Sequence, residues 1–147
     1  MTKEDKDLLL KDLCARLPYG IKCQIDYDNE EDSFLGIERY ADDRIVSVCI
    51  ETEEIGLYHA SVYFYPEEIK PYLRPMSSMT EEEVKEIAYK ILQQPDLGIV
   101  KNWKYLDVPT EKFSDFIDWL ISHHFDYRGL IKKGLALEAP EGMYKTE

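Results

Sequence analysis

The sequence predicts an α+β fold in a single domain over residues 1–147: a four- to five-stranded, mainly antiparallel sheet, a meander, packed against about three helices. Three observations predict it. Apolar residues recur at helical spacing near 2–17, 81–93 and 110–124. Between the first two of these segments, short runs alternate apolar and polar residues and are separated by polar turns. A proline-bearing stretch then parts the strands from the later helices.

Each element has a local reason. In 2–17, Leu10, Leu13, Cys14 and Leu17 form one apolar stripe, Thr2 with Asp5 is placed to cap it, and Pro18 and Gly20 end it. In "IKCQIDY", Ile21, Cys23, Ile25 and Tyr27 share one face of a half-buried strand. "FLGIERY" reads as a second strand, "ADDR" as a tight turn, "IVSVCIE" as a third strand and "LYHASVYFY" as a fourth. "PEEIKPYLRPMSSM", with Pro66, Pro71 and Pro75, reads as an extended crossing loop. Thr80 and Glu83 form a T-x-x-E capping box for a helix that stripes Val84, Ile87, Ala88 and Ile91. "IVKNWKYL" is the fifth strand. The third helix carries Phe113, Phe116, Ile117, Leu120 and Ile121 on a wide apolar face, with His123 and His124 in its last turn. His124 continues that stripe, and His123 is expected to be the more exposed of the two. Asp126 is then placed to cap a short helix over 127–133, and Gly134 suits its left-handed end.

Charge is the unusual bulk property. There are 30 acids and 18 bases, a net charge of −12. Residues 1–96 hold 22 acids against 11 bases, so the excess is concentrated there. Such a surface repels nucleic-acid backbones and anionic membranes, keeps the chain soluble and attracts a basic protein partner. No apolar run reaches the ~20 residues a membrane span needs, and "MTKEDKDLLLKDL" lacks the apolar core of a secretory signal, so the expected location is cytoplasmic. Cys14, Cys23 and Cys49 have no metal-type spacing and are expected to be reduced.

Catalytic and ligand-binding patterns were weighed against plain structural roles. His123, His124 and Asp126 are three metal-ligand types within four residues, but adjacent histidines on a helix diverge by about 100°. His59, on a strand, joins them only if the fold brings it close, and no cofactor is implied. "DYDNEED" resembles the start of an EF-hand loop, yet Glu31 stands where the turn needs glycine and Ile37 where a bidentate glutamate is required. Cys49 and His59 on adjacent strands allow a thiol–imidazole pair in principle. Lys101, Trp103, Lys104 and Tyr105 interleave bases with aromatics as single-strand binders do, against the negative field of the whole chain. In the proline-stiffened stretch, Tyr65, Tyr72, Leu73, Arg74 and Met76 are the residue types that anchor protein interfaces.

At "KPYLRPMSSMTEEE" and "FDYRGLIKKGLALEAP" the chain resembles a group of small uncharacterised proteins encoded by gut anaerobic bacteria and their phages or mobile elements. The resemblance implies a setting, a bacterial or phage cytoplasm, and no chemistry. The expected function is a non-enzymatic acidic protein-interaction module. The alternatives are an acidic DNA mimic that occupies a basic nucleic-acid-binding protein, and a small metal- or thiol-dependent enzyme using His123 and His124.

Overall fold

Thr2 opens the first helix, its Oγ1 accepting from the Asp5 N–H at 3.1 Å. In the computed structural model, which describes residues 1–26, 40–49, 54–57, 63–92 and 110–144, this helix, α1, runs Lys3–Arg16. Its buried face is not the stripe that apolar spacing predicts. Leu9, Leu10 and Leu13 are buried together with Asp12 and Arg16, whereas Cys14 is only half-buried. A short turn over Leu17–Tyr19 follows, and Gly20, at φ 70°, reverses the chain into the first strand.

Strand β1 is Lys22–Asp26, β2 Tyr40–Cys49, β3 Glu54–Leu57, β4 Tyr63–Phe64, β5 Ile69–Leu73 and β6 Leu137–Glu138. The spatial order is β4-β3-β2-β1-β5-β6. The protein is therefore α+β, as its periodicities predict, but the meander is corrected in three places. Tyr40–Cys49 is one strand, so "ADDR" is not a turn; its residues pair along β1, with Asp43 opposite Cys23 and Asp42 opposite Gln24. Within "LYHASVYFY", Tyr63 pairs antiparallel with Gly56 of β3, so the segment is not a single strand. The supposed crossing loop contains β5, which pairs antiparallel with β1 and parallel with β6, and the sheet is of mixed orientation. Pro71 is tolerated in β5 because β6 engages only Tyr72 and Leu73, which leaves the position of Pro71 at the sheet edge among the described residues. The expected strand "IVKNWKYL" lies outside the described residues.

The alternation expected in β1 holds where it is described: Ile21, Cys23 and Ile25 are fully buried. They meet α1 through Leu9, Leu10 and Leu13, and Leu130, Leu135 and Ala136 from the C-terminal segment close the same cluster. A second cluster joins the other helices. Helix α2, Glu81–Glu86, starts at the Thr80–Glu83 capping box and widens into a π-helical stretch over Ile87–Leu92. Helix α3 is Thr110–Ser122. Val84, Ile87 and Ala88 pack with Phe116, Trp119, Leu120 and Phe125. Phe113 falls outside this core at 49% exposure, and Ile117 is only partly buried. Ile117→Ala is accordingly expected to cost about 2 kcal/mol, the low end for aliphatic side chains, and Leu120→Ala at a fully buried position more. Parallel urea unfolding of the two variants checks this; equal losses would place Ile117 in the core.

Candidate functional site

The stretch after α3 is held by backbone geometry repeated twice. Phe125 N–H donates to the Leu120 carbonyl at 2.9 Å and His124 N–H to that of Ile121 at 3.0 Å. Leu135 N–H donates to the Leu130 carbonyl at 3.0 Å and Gly134 N–H to that of Ile131 at 3.0 Å. Both are Schellman motifs, each needing a left-handed residue at its turn. Gly134 supplies the second at φ 76°. His124 supplies the first at φ 64°, alone among the described non-glycine residues in having a positive φ. The helix therefore ends before the histidines, and His124 is not the last residue of its apolar stripe. The helix expected over 127–133 does not form; these residues make turns, and the Asp126 carboxylate ties them together by accepting from the N–H groups of Leu130 and Ile131 at 2.8 and 3.0 Å. Arg74 binds the stretch to the sheet: its N–H donates to the His124 carbonyl and its carbonyl accepts from Asp126 N–H, both at 2.8 Å.

The two histidines have separate structural neighbours. The His123 ring stacks on Trp119 at 3.9 Å, with Nδ1 2.9 Å from the Trp119 carbonyl. That carbonyl can only accept, so it selects the Nδ1–H tautomer. His123→Ala removes this stack. The substitution should cost about 0.5–1.5 kcal/mol, the worth of an aromatic pair, and a thermal melt of the variant measures it.

His124 is 8% exposed and stacks on Tyr144 at 3.8 Å. The Tyr144 hydroxyl donates to the Tyr72 carbonyl at 2.7 Å and accepts from Lys22 N–H at 3.1 Å, closing the C-terminal segment over β5 and β1. Burial raises the Tyr144 pKa, so its proton stays in place. Burial, and then the charge of Arg16, lower His124 from its usual 6.5 to about 4. The folded protein thus holds this ring neutral while the unfolded chain protonates it first. Stability is complete above about pH 6.5 and falls as pH drops from 6.5 toward 4, by up to about 3 kcal/mol. Glu83 adds a separate loss below 4.5: burial raises its pKa, but the bonds from Arg74 and Thr80 outweigh that and hold it low. His124→Gly suits the left-handed backbone and removes the titrating ring. Its denaturation midpoint should change less than the parent's between pH 7 and 5; equal pH slopes would show that His124 does not titrate in this window.

Beneath these residues lies a buried ion cluster that apolar patterning missed. Asp12 and Arg16 are both fully buried, paired at 2.7 Å, and Arg16 Nη2 also donates to the Phe125 carbonyl at 2.7 Å. Arg128 approaches Asp12 at 3.8 Å. The Asp12–Arg16 spacing of four residues is the one sequence signal for it.

The residues proposed for partner binding are scattered by the fold. Tyr65 is 56% exposed, whereas Tyr72 and Leu73 are buried in β5. Arg74 forms a two-pronged pair with Glu83 at 2.6 and 2.8 Å and lies 4.1 Å above the Phe125 ring, and Met76 packs on the second cluster. Pairing of β5 on both flanks draws this stretch inward. Among the described residues no three His, Cys, Asp or Glu side chains gather as metal ligands would, and His123, His124 and Asp126 each have a structural neighbour instead. His59, most of the acidic "DYDNEED" loop and the Lys101–Tyr105 segment lie outside the described residues; Cys49 belongs to β2. Neither Cys14 nor Cys23 is in a disulfide among the described residues.

Among the described residues, exposed carboxylates include Glu4 and Asp7 on α1 and a row on α3. Glu111, Asp115 and Asp118 are exposed on α3 at i, i+4 and i+7, opposite the buried Phe116 and Leu120. Glu81 and Glu82 are exposed on the first turn of α2. Among the described residues no helix is long and apolar enough to cross a membrane. No family model, curated protein or solved structure matches this chain.

Proposed function

We propose that this protein is a non-enzymatic, acidic protein-interaction module of a bacterium, phage or mobile element, acting in the cytoplasm on a basic partner. The observation that carries the reading is the carboxylate row Glu111–Asp115–Asp118, exposed on the outer face of α3. The net charge of −12 adds long-range attraction for cations, which speeds encounter with a basic surface. The engagement of His123, His124 and Asp126 in stacking and capping supports a binding role over an enzymatic one. Tyr65 is the exposed aromatic of the original interface candidates and is available at such a contact.

The test is capture of partners from native lysate at low and high salt, by the parent protein and by the triple variant E111K/D115K/D118K. A partner bound by the parent at low salt, released at high salt and not captured by the variant agrees with the proposal. A partner that the variant keeps at both salts removes α3 from the interface. DNA mimicry is a second reading, favoured by the same row, whose carboxylates step along the helix by about 6 and then about 4.5 Å. It is separated from the first by adding duplex DNA to the captured complex: a mimic's partner exchanges onto the DNA.

A further inference from the structure

Arg16 and Arg128 share a single carboxylate. Arg16, in the last turn of α1, holds Asp12 through Nε at 2.7 Å and Nη2 at 3.2 Å. Arg128, from the turns after α3, places Nη1 3.8 Å from Asp12 Oδ1, within ion-pair range but too long for a hydrogen bond. Among the described residues three buried side-chain polar atoms have no partner: Arg16 Nη1, Arg128 Nη1 and His124 Nδ1. The first two belong to the guanidinium groups that converge on Asp12 Oδ1. The third is on the residue before Phe125, whose carbonyl Arg16 already holds at 2.7 Å.

Among the described residues the ion pairs of this cluster do not balance. Two guanidinium groups face one carboxylate in a chain that is otherwise strongly acidic. Asp126 is next in sequence to this group, but its carboxylate accepts from Leu130 and Ile131 N–H and forms no ion pair with either arginine. A buried donor without an acceptor carries its full desolvation cost, and a guanidinium has donors only. The group that satisfies such atoms must accept hydrogen bonds, and one that also balances the excess charge is an anion. The planar fork of arginine matches carboxylate and phosphate oxygens.

We propose that Arg16 and Arg128, which approach the same Asp12 oxygen, form a binding site for a small oxyanion of carboxylate or phosphate type. Arg16 is the buried floor, fully screened from solvent, and Arg128, whose side chain keeps 17% exposure, is the entrance. The site ties the end of α1 to the segment after α3, so occupancy stabilises the junction of the two core clusters.

The test titrates inorganic phosphate and, separately, acetate into the full chain at constant ionic strength against chloride. It follows the Nε–Hε signals of Arg16 and Arg128 by NMR and the melting temperature. The expected result is a saturable shift of both signals and a melting temperature that climbs with the logarithm of anion concentration, since the anion binds the folded state alone. A response to phosphate only assigns a phosphoryl ligand, and a response to acetate only a carboxylate. Arg128→Gln should abolish the response and Arg128→Lys, which keeps the charge but loses the fork, should weaken it. If neither anion shifts the Arg16 signal of the parent, or if either folded Arg128 variant responds as strongly as the parent, the site is a hydrated ion cluster and the proposal fails.

Discussion

Replacing Asp12 by Ala is expected to destabilise the protein by about 3–5 kcal/mol, the cost of leaving a buried charge without its partner. Arg16 has no exposed surface through which to reach water. With Asp12 gone it keeps only the Phe125 carbonyl, at 2.7 Å, and Arg128 becomes a like charge beside it. Removing both members together is a different experiment. In Asp12→Leu with Arg16→Met the fully buried charges leave together, and what remains is an unsatisfied Phe125 carbonyl, about 1–3 kcal/mol, and Arg128, which loses Asp12 but keeps 17% exposure to water. The double variant should therefore unfold at higher urea than Asp12→Ala. A double-mutant cycle reads the coupling directly. If the single and double variants lose the same stability, the pair is not electrostatically coupled in the interior.

Phe125→Ala should be equally costly, about 3–5 kcal/mol. The ring is fully buried in the second cluster, stacked 5.8 Å from Trp119 and covered by the Arg74 guanidinium at 4.1 Å. The backbone here meets three parts of the fold: the Phe125 N–H ends α3 at Leu120, its carbonyl receives Arg16 of α1, and the adjacent His124 carbonyl and Asp126 N–H bond to Arg74 after β5. Phe125→Leu separates the contributions. It keeps most of the volume, so the packing loss stays below about 1.5 kcal/mol, and the lost face for Arg74 adds about 0.5–1 kcal/mol. Equilibrium denaturation of both variants decides it; a loss under about 1 kcal/mol for the alanine would contradict burial of the ring.

These two residues also mark the division between legible and hidden features. The N-cap at Thr2, the capping box at Thr80 and Glu83, and the left-handed Gly134 are local: each needs residues within a few positions of one another, so spacing reveals them. The face of β1 is legible for the same reason, because alternation is a property of consecutive residues. The α3 face is legible in part. Phe116 and Leu120 are buried as spacing requires, but Phe113 reaches the helix start beyond the core and is exposed. Periodicity assigns a direction around the helix axis, and it does not say how far along the axis the core extends.

The rest depended on partners distant in sequence. Pro66, Pro71 and Pro75 made the stretch around Ile69–Leu73 read as loop, and it became a strand because β1 lies on one flank and the C-terminal β6 on the other. That pairing buried Tyr72 and Leu73, which composition had marked as contact residues. His124 took the left-handed position that glycine usually fills because Tyr144 stacks on it and Arg74 holds its carbonyl. Arg16, outside the apolar stripe of α1, is buried because Asp12 neutralises it from the same helix and a carbonyl 109 residues away completes its bonding. Helix starts, helix ends and strand faces were set locally by hydrogen-bond and side-chain spacing. Which polar residues could be buried was decided in the assembled fold, since a charge can leave water only where the packed chain supplies its counter-charge and acceptors.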